Sequence, residues 1–134
     1  MGYRINILLI ERQALFVPFL AGLLERDGDA VTILDALPHP ARLRELRPDV
    51  VCVDVDHLPV RPLDAIRRLR AALPSARLVA YAARADRSWF AAAKGAGADI
   101  VLGPEAKPDD FIAAAYVRPS DRLPRRPIAA EGLS

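Results

Sequence analysis

Short apolar runs that alternate with helical patterns restrict the fold of this chain more than any other feature of its sequence. Five runs are almost entirely apolar, which is typical of strands in a parallel sheet that is covered on both faces. Parallel strands need long crossover connections, and a helix after each run can supply them. The predicted strands are residues 5–10, 30–34, 50–53, 77–81 and 100–102.

The segments between these runs carry apolar residues at helical spacing, and prolines and capping residues delimit them. Pro40, Pro62 and Pro108 each stand where a helix can begin, because the first turn does not need the missing proline N–H. Asp86 is well placed to cap the helix that follows it. We predict five helices, near residues 15–26, 41–46, 62–73 and 86–94 and from residue 108 onwards.

This alternation predicts one α/β domain, a doubly wound five-stranded parallel sheet with strand order 2-1-3-4-5 and five helices. A chain of 134 residues, 52% of them hydrophobic, has an ordinary size for a single domain with a buried core. We assign this domain to residues 1–117. Residues 118–134, "RPSDRLPRRPIAAEGLS", are rich in proline and arginine, and we expect a linker or tail there.

Charge and cysteine content narrow the class of protein. The net charge of +2 gives only weak support for direct binding of nucleic acid. Cys52 is the only cysteine, so the chain forms no internal disulfide, which fits a reducing compartment, and its apolar run predicts a core position. The apolar stretch "INILLI" is too short for a signal peptide or a membrane span. We therefore expect a cytoplasmic protein that does not contact membranes.

Acidic residues follow two of the predicted strands. Open α/β sheets bind ligands beyond the carboxyl ends of their strands, at the point where the strand order reverses. With order 2-1-3-4-5, the first and third strands are neighbours at that point. Glu11 and Arg12 follow the first strand and Asp54 follows the third, so we expect these three residues to cluster there.

Four stretches resemble, in their order and spacing, the response-regulator receiver domain over roughly residues 4–116. They are "INILLIERQALFVPFLAGLLE", "RPDVVCVDVDHLP", "ARLVAYAARAD" and "GADIVLGPEAKPDDFIAA". The first stretch is similar to the NarL/LuxR-like subfamily, and "AAEGLS" is similar to a fragment of the LuxR-type helix-turn-helix. The resemblance implies a flavodoxin-like receiver fold and a place in two-component signal transduction, often beside a DNA-binding output domain.

The same resemblance implies a phosphoacceptor pocket, and this chain departs from its pattern. Receivers generally hold Mg²⁺ with two acids after the first strand and carry a phosphoacceptor aspartate after the third. By position these residues are Glu11, Arg12 and Asp54. Ala82 stands where receivers have a threonine or serine, and Pro104 where they have a lysine. These departures make the pocket vestigial, because several groups that neutralise a phosphoryl group are missing.

We therefore expect no Mg²⁺ cofactor, no enzymatic activity and little phosphorylation of Asp54. The guanidinium of Arg12 does not deprotonate and is shaped to grip a carboxylate, so we predict that it pairs with Asp54, Glu11 or both in place of a metal. Three alternatives stay open. Asp54 can simply cap a strand end, Arg12 can point into solvent, and Asp56 can replace the missing acid if its strand continues that far.

Receivers commonly form dimers or meet partners through the face made by the helix after strand 4, strand 5 and the helix after it. We accordingly expect a homodimer or a protein partner, with DNA contacted through an output domain or the arginine tail. The alternative is a ligand-binding or enzymatic flavodoxin-like domain, although "ERQALFVP" lacks the glycine, serine and threonine of a phosphate loop. The expected interface residues are Trp89, Phe90, Lys94, Val101, Lys107, Asp110, Phe111 and Tyr116.

Overall fold

The structure, a computed structural model, describes residues 5–12, 30–83 and 86–115. Within these ranges lies a five-stranded sheet with the order β2-β1-β3-β4-β5, and every neighbouring pair is parallel. This result confirms the predicted sheet and its order. The strands are β1 (Asn6–Ile10), β2 (Ala30–Leu34), β3 (Val50–Asp54), β4 (Arg77–Tyr81) and β5 (Ile100–Leu102).

Helices connect and cover these strands. The described residues contain α1 (Pro40–Leu46), α2 (Pro62–Ala72), α3 (Arg87–Ala96) and α4 (Pro108–Ala115), and a 3-10 turn (Val55–His57) follows β3. In these ranges no helix is both long enough and apolar enough to cross a bilayer. The predicted helix near residues 15–26 and the predicted tail at 118–134 lie outside the described residues.

The local signals at the helix starts act as predicted. Pro40 and Pro62 lie in the first turns of α1 and α2, where no intrahelical N–H is required. The Asp86 carboxylate accepts a hydrogen bond from the Trp89 backbone N–H at 2.9 Å and so caps α3. Gly97 ends that helix with a φ of 130°, a conformation that favours glycine.

Two apolar clusters fill the space on the two faces of the sheet. Side chains alternate along a strand, so Leu8 and Ile10 of β1 enter the cluster beneath α1, α2 and α3. Their neighbours Ile7 and Leu9 enter the other cluster, beneath α4. Cys52 is fully buried in this second cluster, as its apolar run predicted. The sheet is therefore covered on both faces.

Arg70 fastens α2 to the loop that leads into β5. Its guanidinium donates to the Asp99 carboxylate at 2.7 Å, and Asp99 also accepts from the Leu78 backbone N–H at 2.9 Å. The arginine thus joins three chain segments through one planar group. Its remaining hydrogen bonds go to the backbone carbonyls of Leu73, Pro74, Ala76 and Gly97.

Candidate functional site

The register of the sheet brings two carboxylates together at its carboxyl edge. Ile10 of β1 lies opposite Val53 of β3, so the next residues along the two strands, Glu11 and Asp54, are neighbours. Both side chains are buried, with 4% and 3% of their surface exposed. Burial of a carboxylate is costly unless hydrogen bonds or charges compensate it.

Tyr81 ends β4 directly beside Asp54 and reports the charge at this edge. Burial raises the pKa of the Tyr81 phenol, and the negative charges of Asp54, Asp56 and Glu11 raise that pKa further. A phenol resists ionisation near carboxylates because its anion would be repelled by them. The three acids therefore act on one place at the end of the sheet.

Asp54 is the last residue of β3, and one of its oxygens is already engaged by the backbone. The Oδ1 atom accepts a hydrogen bond from the Asp56 backbone N–H at 3.0 Å and caps the 3-10 turn. An aspartate that bonds the N–H two residues further on forms an Asx turn, which ends the strand here. This hydrogen bond agrees with one of the alternatives left open above, in which Asp54 caps the end of its strand.

The Asp56 carboxylate contacts the chain after β4, and the 3-10 turn that places it there was not predicted from the sequence. We had expected Asp56 to join the site only if β3 continued to it, but β3 ends at Asp54. The 3-10 turn carries the Asp56 carboxylate across instead, and its Oδ2 atom accepts from the Ala83 backbone N–H at 2.6 Å. The signal available in the sequence was the Asp-x-Asp spacing, in which the first acid folds the second one back.

The other predicted members of the pocket occupy the same edge. Ala82 follows β4 and is buried, and its backbone N–H donates to the Leu102 carbonyl of β5 at 3.1 Å. Pro104 follows β5 and is exposed, and Arg12 follows Glu11 and is also exposed. The pairing of Arg12 with a carboxylate stays a prediction. Among residues 5–12, 30–83 and 86–115, no three His, Cys, Asp or Glu side chains form a group that could hold a metal ion.

The α3–β5–α4 face, made of the residues of those three elements and the loop 103–107, carries an open groove of about 710 Å³. Three predicted interface residues line it, namely Phe90, Val101 and Asp110. The groove therefore coincides with part of the face that we expected to meet partners. Its other lining residues are Asp86, Arg87, Leu102, Gly103, Pro104, Glu105 and Ala106.

The remaining predicted interface residues lie in different surroundings. Trp89 is half-buried and packs against the cluster beneath α1, α2 and α3, while Lys94 and Lys107 are exposed. Phe111, which we placed on the face, is 4% exposed and packs on the Tyr81 ring with centroids 5.3 Å apart, so it supports the face from beneath. Tyr116 lies outside the described residues.

Gly103 is a feature of the groove that the sequence reading missed. An added Cβ at this glycine would lie 2.7 Å from Cζ of Phe90, which is closer than real Cβ atoms approach another carbon. The absent side chain lets the Phe90 ring lie against the end of β5. The contact between Phe90 and Gly103 therefore fixes how α3 is turned about its own axis relative to the sheet.

Solved structures similar to this chain were found, whereas no protein-family model and no curated protein matches it. A response regulator protein from Burkholderia pseudomallei, with a phosphorylated aspartic acid, calcium ion and citrate, is 26% identical; the match covers 96% of this chain and 73% of that one, with a TM-score of 0.68. A CheY-like receiver domain protein from Methanospirillum hungatei JF-1 is 15% identical, covering 83% and 90%, with a TM-score of 0.73. A LuxR-family two-component response regulator from Aurantimonas sp. SI85-9A1 is 21% identical, covering 98% and 100%, with a TM-score of 0.71.

These neighbours confirm the expected flavodoxin-like receiver fold, since they share the five-stranded parallel architecture of this chain. The response regulator from Burkholderia pseudomallei, the one of the three above 25% identity, supports a role in signal transduction. The two neighbours with the lower identities speak only to the fold. The role of the edge residues in this chain depends on their own chemistry.

Proposed function

We propose that this chain is an atypical, NarL/LuxR-like receiver domain of a signal-transduction or transcription regulator, which acts by protein contact with little or no phosphorylation of Asp54. The observation that carries the proposal is the composition of the carboxyl edge. Asp54 and Glu11 are buried there, but Ala82 offers a methyl group and Pro104 an exposed ring. Neither side chain can donate a hydrogen bond or a positive charge to a phosphoryl group.

The oxygen atoms at this edge are also poorly suited to coordinate Mg²⁺. This ion requires near-octahedral coordination by oxygen and binds proteins through one or two carboxylates together with water and phosphate. Within residues 5–12, 30–83 and 86–115 the buried carboxylates are Glu11 and Asp54, and Oδ1 of Asp54 is already hydrogen-bonded to the backbone. Arg12 adds a fixed positive charge directly after Glu11, where a second acid would be needed. These features support a pocket without resident Mg²⁺.

Contact through the α3–β5–α4 face is the mode of action that we propose. The groove there combines the apolar surface of Phe90 and Val101 with the carboxylates of Glu105 and Asp110, so it offers packing and charge to a second protein. A second copy of the chain or a partner regulator would be the occupant. DNA would then be contacted through an output domain or through the arginines of residues 118–134.

Titration of Mg²⁺ into the full chain, followed by the fluorescence of Trp89 and by backbone amide shifts, tests the pocket. We expect no saturable change up to millimolar Mg²⁺, and Arg12→Asp, which restores a second acid, should gain binding. Arg44→Asp, the same change on the exposed last turn of α1, is the control and should gain none. Saturable binding to the unmodified chain, with shifts centred on Glu11 and Asp54, would refute the proposed pocket.

A further inference from the structure

Two backbone N–H groups at the carboxyl edge donate to carboxylates of the chain itself. The Asp56 N–H donates to Asp54 at 3.0 Å, and the Ala83 N–H donates to Asp56 at 2.6 Å. The second distance lies just below the usual range of N–H···O bonds, so the Ala83 N–H and the Asp56 carboxylate are in close contact. The two hydrogen bonds connect the end of β3, through the 3-10 turn, to the residue Ala83 after β4.

The bond of Asp56 to Ala83 holds a third carboxylate at an edge that already has two buried ones. Asp56 is only partly exposed and shares its surroundings with the buried carboxylates of Asp54 and Glu11. Like charges repel in a partly desolvated site unless donors compensate them. The N–H of Ala83 is such a donor, and it fixes the carboxylate across a gap between two loops.

Ala83, the residue that Asp56 holds, lies a few residues before the proposed contact face in the sequence. Ala83 follows β4 by two residues, and Asp86, three residues further on, caps α3. The first turn of α3 then places Trp89 against the core and Phe90 against Gly103. A restraint at Ala83 therefore acts on the start of the helix that forms one wall of the groove.

We propose that Asp56 is a positioning residue that serves as a built-in anion. Its carboxylate accepts the hydrogen bond of the Ala83 N–H and restrains the chain just after β4, and with it the α3–β5–α4 face, in one fixed arrangement. The face is then set without covalent modification of Asp54. This inference rests on the proposed function, because it explains how a receiver-like domain that is not phosphorylated presents a constant contact surface.

Backbone amide NMR of the full chain tests the inference with three variants. Asp56→Ala removes the anion, and Asp56→Asn keeps the shape of the side chain without its charge. Asp64→Asn is the control: it removes a carboxylate on α2 that pairs with the exposed Arg67. We expect hydrogen exchange at Ala83 to be about 10- to 100-fold faster in Asp56→Ala, which corresponds to one lost charge-assisted hydrogen bond. Amides of α3 and β5 should shift in Asp56→Ala, less in Asp56→Asn, and not in Asp64→Asn.

Sodium formate supplies the missing carboxylate in solution. It distinguishes an effect of the negative charge of Asp56 from an effect of its side-chain packing. Added to Asp56→Ala, it should return the Ala83 amide shift toward that of the unmodified chain, whereas sodium chloride at equal ionic strength should not. Unchanged exchange at Ala83 in Asp56→Ala, or an Asp56→Asn spectrum identical to that of the unmodified chain, would overturn the inference. Incubation with acetyl phosphate tests Asp54 separately, so a failure of the proposed function is distinguishable from a failure of this restraint.

Discussion

At the scale of the residue, Cys52 shows how burial sets chemistry in this domain. The thiol is fully buried in β3, and desolvation raises its pKa from 9.0 to about 12. The folded state therefore favours the neutral thiol over the thiolate. Cys52 is consequently a packing residue, which agrees with the expectation from its apolar run.

We predict that the domain loses stability as the pH rises from about 9 to about 12. A group whose pKa is raised by folding contributes its full stabilisation below its unfolded pKa and loses it as the pH rises through the folded pKa, by up to about 1.4 kcal/mol per pH unit for one group. The raised pKa of Tyr81 acts in the same direction above pH 10. Urea unfolding at a series of pH values should show a shallower alkaline decline for Cys52→Val, and parallel curves for the two proteins would contradict this assignment.

The charge of Arg70 links several chain segments, so this residue should contribute measurably to stability. Its guanidinium and the Asp99 carboxylate are about one-quarter exposed or less, and four backbone carbonyls share the same group. We predict that Arg70→Met lowers the free energy of unfolding by roughly 2–3 kcal/mol, because partly buried acceptors lose a charged donor.

Arg67 on the same helix provides the matched control for Arg70. Its ion pair with Asp64 is about half exposed, and exposed pairs of this kind contribute little. Arg67→Met should therefore change the free energy of unfolding by no more than about 0.5 kcal/mol. Equal effects of the two substitutions in chemical denaturation would show that the Arg70 hydrogen bonds do not stabilise the fold.

At the scale of the element, α3 is the part of the fold whose position matters most for the proposed contact face. Its start is fixed by the Asp86 cap, its end by Gly97, and its rotation by Phe90 against Gly103. At Gly97, an added Cβ would lie 2.7 Å from Cβ of Arg70. Both ends of the helix thus depend on close approaches to neighbouring elements.

Two glycine substitutions of opposite sign test this description of α3. Gly103→Ala should destabilise the domain by about 1–2 kcal/mol, because the Phe90 ring must move to admit the methyl group. Gly95 lies inside α3 with open space around it, so Gly95→Ala should stabilise the domain by about 0.5 kcal/mol. Thermal unfolding measures both. A neutral Gly103→Ala with unchanged Phe90 ring shifts would show that the ring does not lie against β5.

At the scale of the whole molecule, the sequence predicted the elements well and the contacts between loops poorly. Four strands begin where the apolar runs begin, because continuous apolar stretches bounded by turn residues leave little choice of register. The helix starts followed from Pro40, Pro62, Asp86 and Pro108 for local reasons. By contrast, the bond of Asp56 to Ala83 spans 27 residues of sequence and depends on how two loops meet, which no local pattern encodes.

The candidate site divides in the same way. The neighbourhood of Glu11 and Asp54 followed from strand order, because parallel strands end at a common edge. The burial of Phe111 was readable only from its contact with Tyr81, since one apolar helix residue can face either a core or a partner. The glycine that admits Phe90 gave no sequence signal at all, because its importance lies in the side chain that it lacks.

The central claim, that Asp54 is not a working phosphoacceptor, has one direct test. The full chain is incubated with acetyl phosphate and Mg²⁺, and its intact mass is recorded beside those of Asp54→Asn and of a receiver domain known to accept phosphate. We predict no mass increase for the unmodified chain under conditions that phosphorylate the known receiver. A gain of one phosphoryl group that disappears in Asp54→Asn would contradict the account.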